Sequence, residues 1–308
     1  MAGLAAACEL ASAGFAVTLV ERRRRLGGRA GSYFDSRLGL TVDLGQHVFL
    51  GCCSYYVDFL RKLGAAEGIH LQRALYLPIL TKGRKLFRLR ASPLPAPFHL
   101  LPSLLRLPSL SPLDRARALG ALLHIRFTDR RQLVGEAFHT WLRRHHQSER
   151  AIKGFWDFII RPTLNIRVED ADAELALMVL QVGFLGDVKA SAIGYARVGL
   201  SDLLEGPARS YLEARSSDLL LGTRARALIT KGGKVTAVAL DDGARLEGDI
   251  FVSALPPDAL PLLLPPPWRS RPFFARLAAM PASPIVNAYL VYDRPVTDLA
   301  FAACLEGP

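Results

Sequence analysis

Glu21 ends an apolar run, Phe15 to Val20 (FAVTLV), and Gly3 lies eighteen residues before it, at the head of a small-residue stretch, Gly3 to Ala13. Small residues favour a helix, Gly14 suits its C-terminal cap, and the apolar run reads as a buried strand. A helix, a tight turn and a strand that ends in an acid form the second half of a dinucleotide-binding βαβ unit. In that unit the last glycine of G-x-G-x-x-G lets helix and strand pack closely, and the acid hydrogen-bonds ribose hydroxyls. Gly3 and Glu21 fit those two roles. Alone, they fit an ordinary helix–strand pair of an α/β protein equally well.

The residues after Glu21 sharpen the reading. Five positions separate it from Gly27-Gly28-Arg29-Ala30-Gly31-Ser32. Two adjacent glycines let the backbone approach a pyrophosphate, and Arg29 offers a fork of donors to its oxygens. The run Arg22–Arg25 extends the positive field, with Arg22 a candidate ligand and Arg23 and Arg24 read as a solvated basic loop. A third group, Val42-Asp43-Leu44-Gly45-Gln46-His47, comes after a short turn. Gly45 permits close packing against a flat ring, and Gln46 and His47 supply polar edges. His47 either faces that ring or a substrate, or orients its own loop through a hydrogen bond.

The pattern E-x5-G-G-R-x-G-S followed by D-x-G-x-H resembles the FAD-dependent amine oxidase and phytoene desaturase superfamily. The longer string Val42 to Cys53 (VDLGQHVFLGCC) is most similar to the squalene-associated branch, the hydroxysqualene dehydroxylases. Softer matches are Trp141-Leu142, Phe155-Trp156, Leu164-Asn165 and Gly199 to Leu204, so the similarity runs through essentially the whole chain. The resemblance implies FAD as cofactor, a long isoprenoid as substrate, and reduction of hydroxysqualene to squalene as the reaction. Its alternative within the superfamily is carotenoid desaturation of the phytoene type. It also implies that the backbone of Ala225 backs the adenine, where the family usually has a valine. Catalytic residues are not identified; the flavin would carry the redox chemistry.

These residues need an α/β frame to position them. The expected fold is a Rossmann-like FAD-binding domain whose first strand is missing, with a mainly helical inserted substrate domain. The expected boundaries are 1–48 and 199–262 for the FAD-binding parts, and 49–198 with a return segment, 263–308, for the substrate domain. Both ends of the cofactor site look absent, so the chain reads as truncated, and poor stability is the expectation. Ser54 to Leu63 reads as an amphipathic helix with Tyr55, Phe59 and Leu63 on one face. Leu71 to Leu89 reads as a hairpin turning at Lys82-Gly83-Arg84. Helices are expected over 114–127, 136–146, 148–160 and 199–214, and short strands over 218–221, 225–229 and 235–240. Asp249 to Pro257 is expected to be a buried strand and Pro284 to Tyr292 a further strand.

The chain has 308 residues, half of them hydrophobic and 22% charged, which excludes disorder and a small disulfide scaffold. Its four cysteines form no C-x-x-C pair, and His139, His145 and His146 read as a solvated helix face; no metal site is expected. The first apolar stretch has no basic residues before it, so it does not read as a signal peptide, and a cytoplasmic location is expected. Residues 1–150 hold 23 Lys and Arg against 10 Asp and Glu, the remainder 16 against 18. Such a basic half points to an anionic partner. It carries no nucleic-acid-binding signature, so nucleic acid is not expected, although a non-catalytic basic binding fragment is the reading from another function class.

Ala91 to Leu113 carries six prolines, many leucines and one charge, Arg106, between basic flanks. Proline forbids one straight helix there. Two fates are open to it: a peripheral contact with an anionic membrane on the inner face of the cell membrane, or a buried lid over a substrate cavity.

Overall fold

The computed structural model describes residues 1–81 and 85–305, which divide into two compact units. The turn expected at Lys82-Gly83-Arg84 lies outside the described residues.

The first unit comprises Met1–His47, Tyr55–Ile69 and Ala196–Ala282. Helix α1 (Ala2–Ser12) leads into β1 (Thr18–Glu21), then an antiparallel pair, β2 (Ser32–Asp35) and β3 (Leu40–Asp43). Helix α2 (Ser54–Lys62) and helix α3 (Leu200–Glu213) come next in this unit. After α3 come β4 (Asp218–Leu221), β5 (Ala225–Lys231), β6 (Lys234–Leu240) and β7 (Arg245–Glu247). The chain reverses after α1 because Gly14 adopts φ +86°, where only glycine is unstrained. β1 and β4 pair in parallel, Leu19 beside Leu219 and Glu21 beside Leu221, while β5, β6 and β7 form an antiparallel meander.

One apolar core joins these elements. Leu4, Ala7, Cys8 and Ala11 of α1 pack with Phe59 and Leu60 of α2 and with Leu200, Leu203, Leu204, Ala208 and Leu212 of α3. Val17, Leu19, Leu219 and Leu221 close it from the β1–β4 side. The alanines of α1 are what let α3 approach closely; larger side chains there would overpack the seam. Burial raises the Cys8 thiol to about 11, so it behaves as a small hydrophobe.

Four expectations are corrected in these segments. Tyr55 is 92% exposed, and α2 instead buries Val57, Phe59 and Leu60. Phe15, expected to begin the buried strand, is half exposed, and β1 starts only at Thr18. Asp249–Pro257 forms no strand, and Ile250 and Val252 are each 59% exposed. Pro284–Tyr292, in the second unit, is likewise without a strand. An apolar run becomes a strand only when a neighbour completes its hydrogen-bond ladder, and among the described residues none pairs with either run.

The second unit comprises Val48–Ser54, His70–Tyr195 and Ser283–Pro308. Its core is helical, with Phe138, Trp141, Leu142, Ile152, Trp156 and Ile160 essentially inaccessible. Trp156 Nε1 donates to Gln147 Oε1 at 2.9 Å, and Gln147 Nε2 donates to the carbonyls of Arg117 and His145, so the buried polar atoms are paired. The helix Pro112–Phe127 starts at a capping box in which Ser111 and Asp114 bond each other reciprocally. Hydrogen bonds from Ser111, then Ser148, hold the Asp114 carboxyl below its usual range.

Tyr76–Thr81 and Lys85–Arg90 form the expected antiparallel hairpin. The proline-rich segment is broken as its sequence requires, with a short helix at Leu101–Leu104. It divides by face: Leu104, Leu107 and Leu110 belong to the core, whereas Leu94, Phe98 and Leu105 are nearly half exposed. His145 is not on a free helix face; its ring lies 3.9 Å from that of Trp141 and 4.4 Å from that of His124.

Candidate nucleotide-binding site

All ten sequence-predicted site residues lie in the first unit. Glu21 sits at the carboxyl end of β1, the end at which open parallel sheets place their ligands. Its Oε1 accepts the amide of Arg23 at 2.9 Å, which fixes the carboxylate at the strand's tip. The Glu21 carbonyl accepts from Thr223 at 3.1 Å and the Arg23 carbonyl from Gly222 at 3.0 Å. Those two bonds carry the chain from β1 across to the start of β5, and so bring Ala225 to the Glu21 end of the sheet. Gly222 has φ +71°, which makes this turn possible.

Gly27 and Gly28 both adopt positive φ, +92° and +64°. A Cβ on Gly27 would stand 2.4 Å from the carbonyl oxygen of Ala30, which no packing adjustment accommodates without moving backbone. Arg22 and Arg29 are exposed. Arg29 and Glu21 both act on the amino group of Met1 at the start of α1: burial lowers its pKa first, Glu21 raises it and Arg29 lowers it. No side chain caps α1, so its first amides are donors open to an anion. Gly3, in that turn, leaves only 3.1 Å between a would-be Cβ and the Cβ of Ala254. The close packing expected of it is present, against the 249–257 segment rather than a strand.

The third group is joined to the second by Leu44, whose amide donates to the Gly31 carbonyl at 2.8 Å. Gly45 is buried, while Gln46 and His47 are exposed. His47 Nδ1 lies 2.9 Å from the Gly45 carbonyl, the loop-orienting arrangement. Among the described residues there is no cluster of metal-ligating side chains.

Four residues that the motifs contain, but to which the sequence assigns no role, organise the site. Asp43 Oδ1 accepts from Ser32 Oγ at 2.6 Å and from the Leu200 amide at 2.9 Å, so a carboxylate from β3 caps α3. Ser32 and Ser201 exchange a reciprocal pair, each amide donating to the other's hydroxyl at 2.8 and 3.0 Å. Gly199-Leu200-Ser201-Asp202 carries a helix-start signal, but nothing local tells which distant acid completes it. The fourth is Arg25. Its Nη1 is buried without a hydrogen-bond partner among the described residues, and it lies against Gly31, where a Cβ would stand 2.3 Å away and displace the guanidinium. An unpaired buried guanidinium N–H is costly unless something anionic or polar meets it.

FAD asks for a carboxylate at a strand's end for its ribose, a glycine-backed cationic loop for its pyrophosphate and an open helix start. Glu21, Gly27, Gly28, Arg29, the unpaired Arg25 and α1 meet those demands, and the residues present fit the group.

Comparison with known proteins agrees. The chain is 30% identical to a probable zeta-carotene desaturase of Synechococcus elongatus, over 97% of this chain and 66% of the relative. It is 29% identical to a hydroxysqualene dehydroxylase of Rhodopseudomonas palustris, over 96% and 67% respectively. The chain thus spans about two thirds of the length of these curated relatives. Among solved structures, an oxidoreductase from Methanosarcina mazei matches with a TM-score of 0.61 at 19% identity, over 85% of this chain and 58% of that one. Putrescine oxidase matches with a TM-score of 0.60 at 16% identity, over the same shares. Both support the Rossmann-like α/β fold. The model of the flavin containing amine oxidoreductases covers residues 1–305. FAD is the cofactor of that group, and this chain belongs to the flavin containing amine oxidoreductase family.

Proposed function

We propose that the protein is an FAD-dependent oxidoreductase of long isoprenoids, and that its reaction is the reduction of hydroxysqualene to squalene. The observation that carries the cofactor part is the Glu21 carboxylate, held at the carboxyl end of β1 by the Arg23 amide and followed by the positive-φ turn at Gly27 and Gly28. The isoprenoid part rests on the curated relatives, whose names include carotene desaturases and a hydroxysqualene dehydroxylase.

In this reading the Glu21 carboxylate accepts hydrogen bonds from the ribose hydroxyls, held in place by the Arg23 amide. Gly27 and Gly28 bring backbone N–H groups to the pyrophosphate, and Arg29 and Arg22 neutralise it. Arg25 supplies a donor from beneath the loop. Ala225 backs the adenine with its main chain. Gly45 keeps the space beside the ring system free of side chain, while Gln46 and His47 edge it. When bound, FAD supplies the hydride chemistry, giving a hydride as the substrate hydroxyl leaves as water, or accepting one in a desaturation.

Desaturation of a carotenoid precursor is the second reading, favoured by the 30% identity to the zeta-carotene desaturase. Product analysis separates the two. Protein with reduced FAD and hydroxysqualene under anaerobic conditions should yield squalene. Formation of a desaturated product from phytoene or zeta-carotene with oxidised FAD, and no squalene from hydroxysqualene, would reverse the assignment. A water-insoluble substrate also calls for peripheral contact with an anionic membrane, and among the described residues no helix is long and apolar enough to cross one.

A further inference from the structure

From Gly68 to Leu113 the sequence has no Asp or Glu, 46 residues in a row, while it has seven Lys and Arg. Within that stretch the second unit carries a cavity of about 460 Å³ lined by Arg90, Pro93, Pro102, Ser103 and Arg106, among others, with no acid in its wall. Its frame is fixed. Ser103 Oγ donates to the Arg90 carbonyl at 2.7 Å and accepts the Arg90 amide at 3.0 Å, and the Arg106 amide donates to the Ser103 carbonyl at 3.2 Å. One buried serine thus holds the last residue of a hairpin strand beside the turn that bears Arg106. Neither guanidinium has an ion-pair partner among the described residues, and both side chains are exposed.

The same segment exposes Leu94, Phe98 and Leu105 at 44%, 49% and 46%. Three exposed apolar side chains in the same segment as Arg106, which follows Arg90 in the chain, suit a surface that is anionic outside and apolar just beneath. The prolines leave backbone groups without helical partners, so the segment can enter the headgroup region but not the hydrocarbon. A soluble anion explains the arginines and leaves the exposed leucines and phenylalanine unexplained.

We propose that this cavity binds the phosphate headgroup of an acidic phospholipid, Arg90 and Arg106 meeting the phosphate while Leu94, Phe98 and Leu105 insert beside it. The proposal deepens the membrane contact of the proposed function and rests on it, but not on the redox assignment. Leu104 and Leu107 take no part, since they are core residues.

The test is flotation of the protein with vesicles of phosphatidylglycerol and phosphatidylcholine, against phosphatidylcholine alone, with flavin uptake measured on the same samples. Binding should require phosphatidylglycerol and weaken with salt. R90Q/R106Q should lower the partition coefficient about 30-fold, two surface cations being removed. L94S/F98S/L105S should also lose binding with unchanged circular dichroism, because those side chains are exposed. Equal binding to both vesicle types, or undiminished binding by either variant, overturns the proposal. So does saturable binding of soluble glycerol phosphate without flotation, or self-association that L94S/F98S/L105S abolishes. Loss of flavin uptake with vesicle binding intact would count against the cofactor reading and leave this one standing.

Discussion

Asp43 and Leu200 meet at the start of α3, the Asp43 carboxylate accepting the Leu200 amide at 2.9 Å. The same oxygen takes the Ser32 hydroxyl at 2.6 Å, so one acid ties β2, β3 and α3 beneath the glycine loop. D43A removes a charged cap and strands the Ser32 hydroxyl. It should destabilise the protein by about 1–3 kcal/mol, read as a lower urea midpoint. D43N, which keeps one acceptor oxygen, should lose less. Equal losses for both would mean that the cap depends wholly on the carboxylate's charge and that a neutral acceptor oxygen does not replace it.

The glycine loop gives a second prediction. G27A forces a side chain into φ +92° and against the Ala30 carbonyl at 2.4 Å, so the loop backbone must shift. The cost should be about 1–3 kcal/mol, with weakened FAD binding. G232A, at φ +57° in a turn where a Cβ meets nothing within 4 Å, is the control. It should cost less and leave FAD affinity unchanged. Identical behaviour of the two would separate the loop from the cofactor.

Gln147 satisfies the indole of Trp156 in the core of the second unit and bonds two carbonyls besides. Q147L leaves all three groups unpaired and should cost about 1–3 kcal/mol per buried group left without a partner. A chemical denaturation curve unchanged from the parent would show that water replaces the amide.

Stability should also depend on pH. Burial, above all, lowers the pKa of His99 and of His145; Asp187 opposes the shift at His99, and Glu136 opposes it at His145, where His124, Arg144 and His146 reinforce it. A folded pKa below the unfolded value means that the unfolded chain binds more protons, so stability rises with pH across that window. The contribution is complete above about 6.5 and is lost as pH falls below it. The urea midpoint should therefore drop between pH 8 and pH 5, and H99Q/H145Q should flatten that slope. A parent midpoint that rises on acidification would contradict the assignment.

Helix α1, the end of β1 at Glu21, β4, the hairpin and the first two strands of the meander, but not β7, are legible because period, turn residues and caps are local. So are the positions of Glu21, Gly27 and Gly28, since glycine at positive φ and an acid at a strand's end have sequence signatures. Three kinds of feature are not. The Asp43–Leu200 cap joins residues far apart in the chain, and no local pattern names its partner. Arg25 looked like its neighbours Arg23 and Arg24, and only burial distinguishes it. Asp249–Pro257 and Pro284–Tyr292 have the composition of strands, but a strand needs a partner, and composition does not say whether one is present.

The central claim is that Glu21 and the Gly27–Arg29 loop bind FAD. Titration of the purified protein with FAD, followed by flavin fluorescence, tests it directly when done in parallel on E21A and the parent. The account predicts saturable uptake by the parent, and a loss of about 1.5–3 kcal/mol in E21A, roughly a 10- to 150-fold weaker Kd, with an unchanged far-ultraviolet spectrum. A parent that takes up no FAD, or an E21A variant that binds it as tightly, would contradict the account.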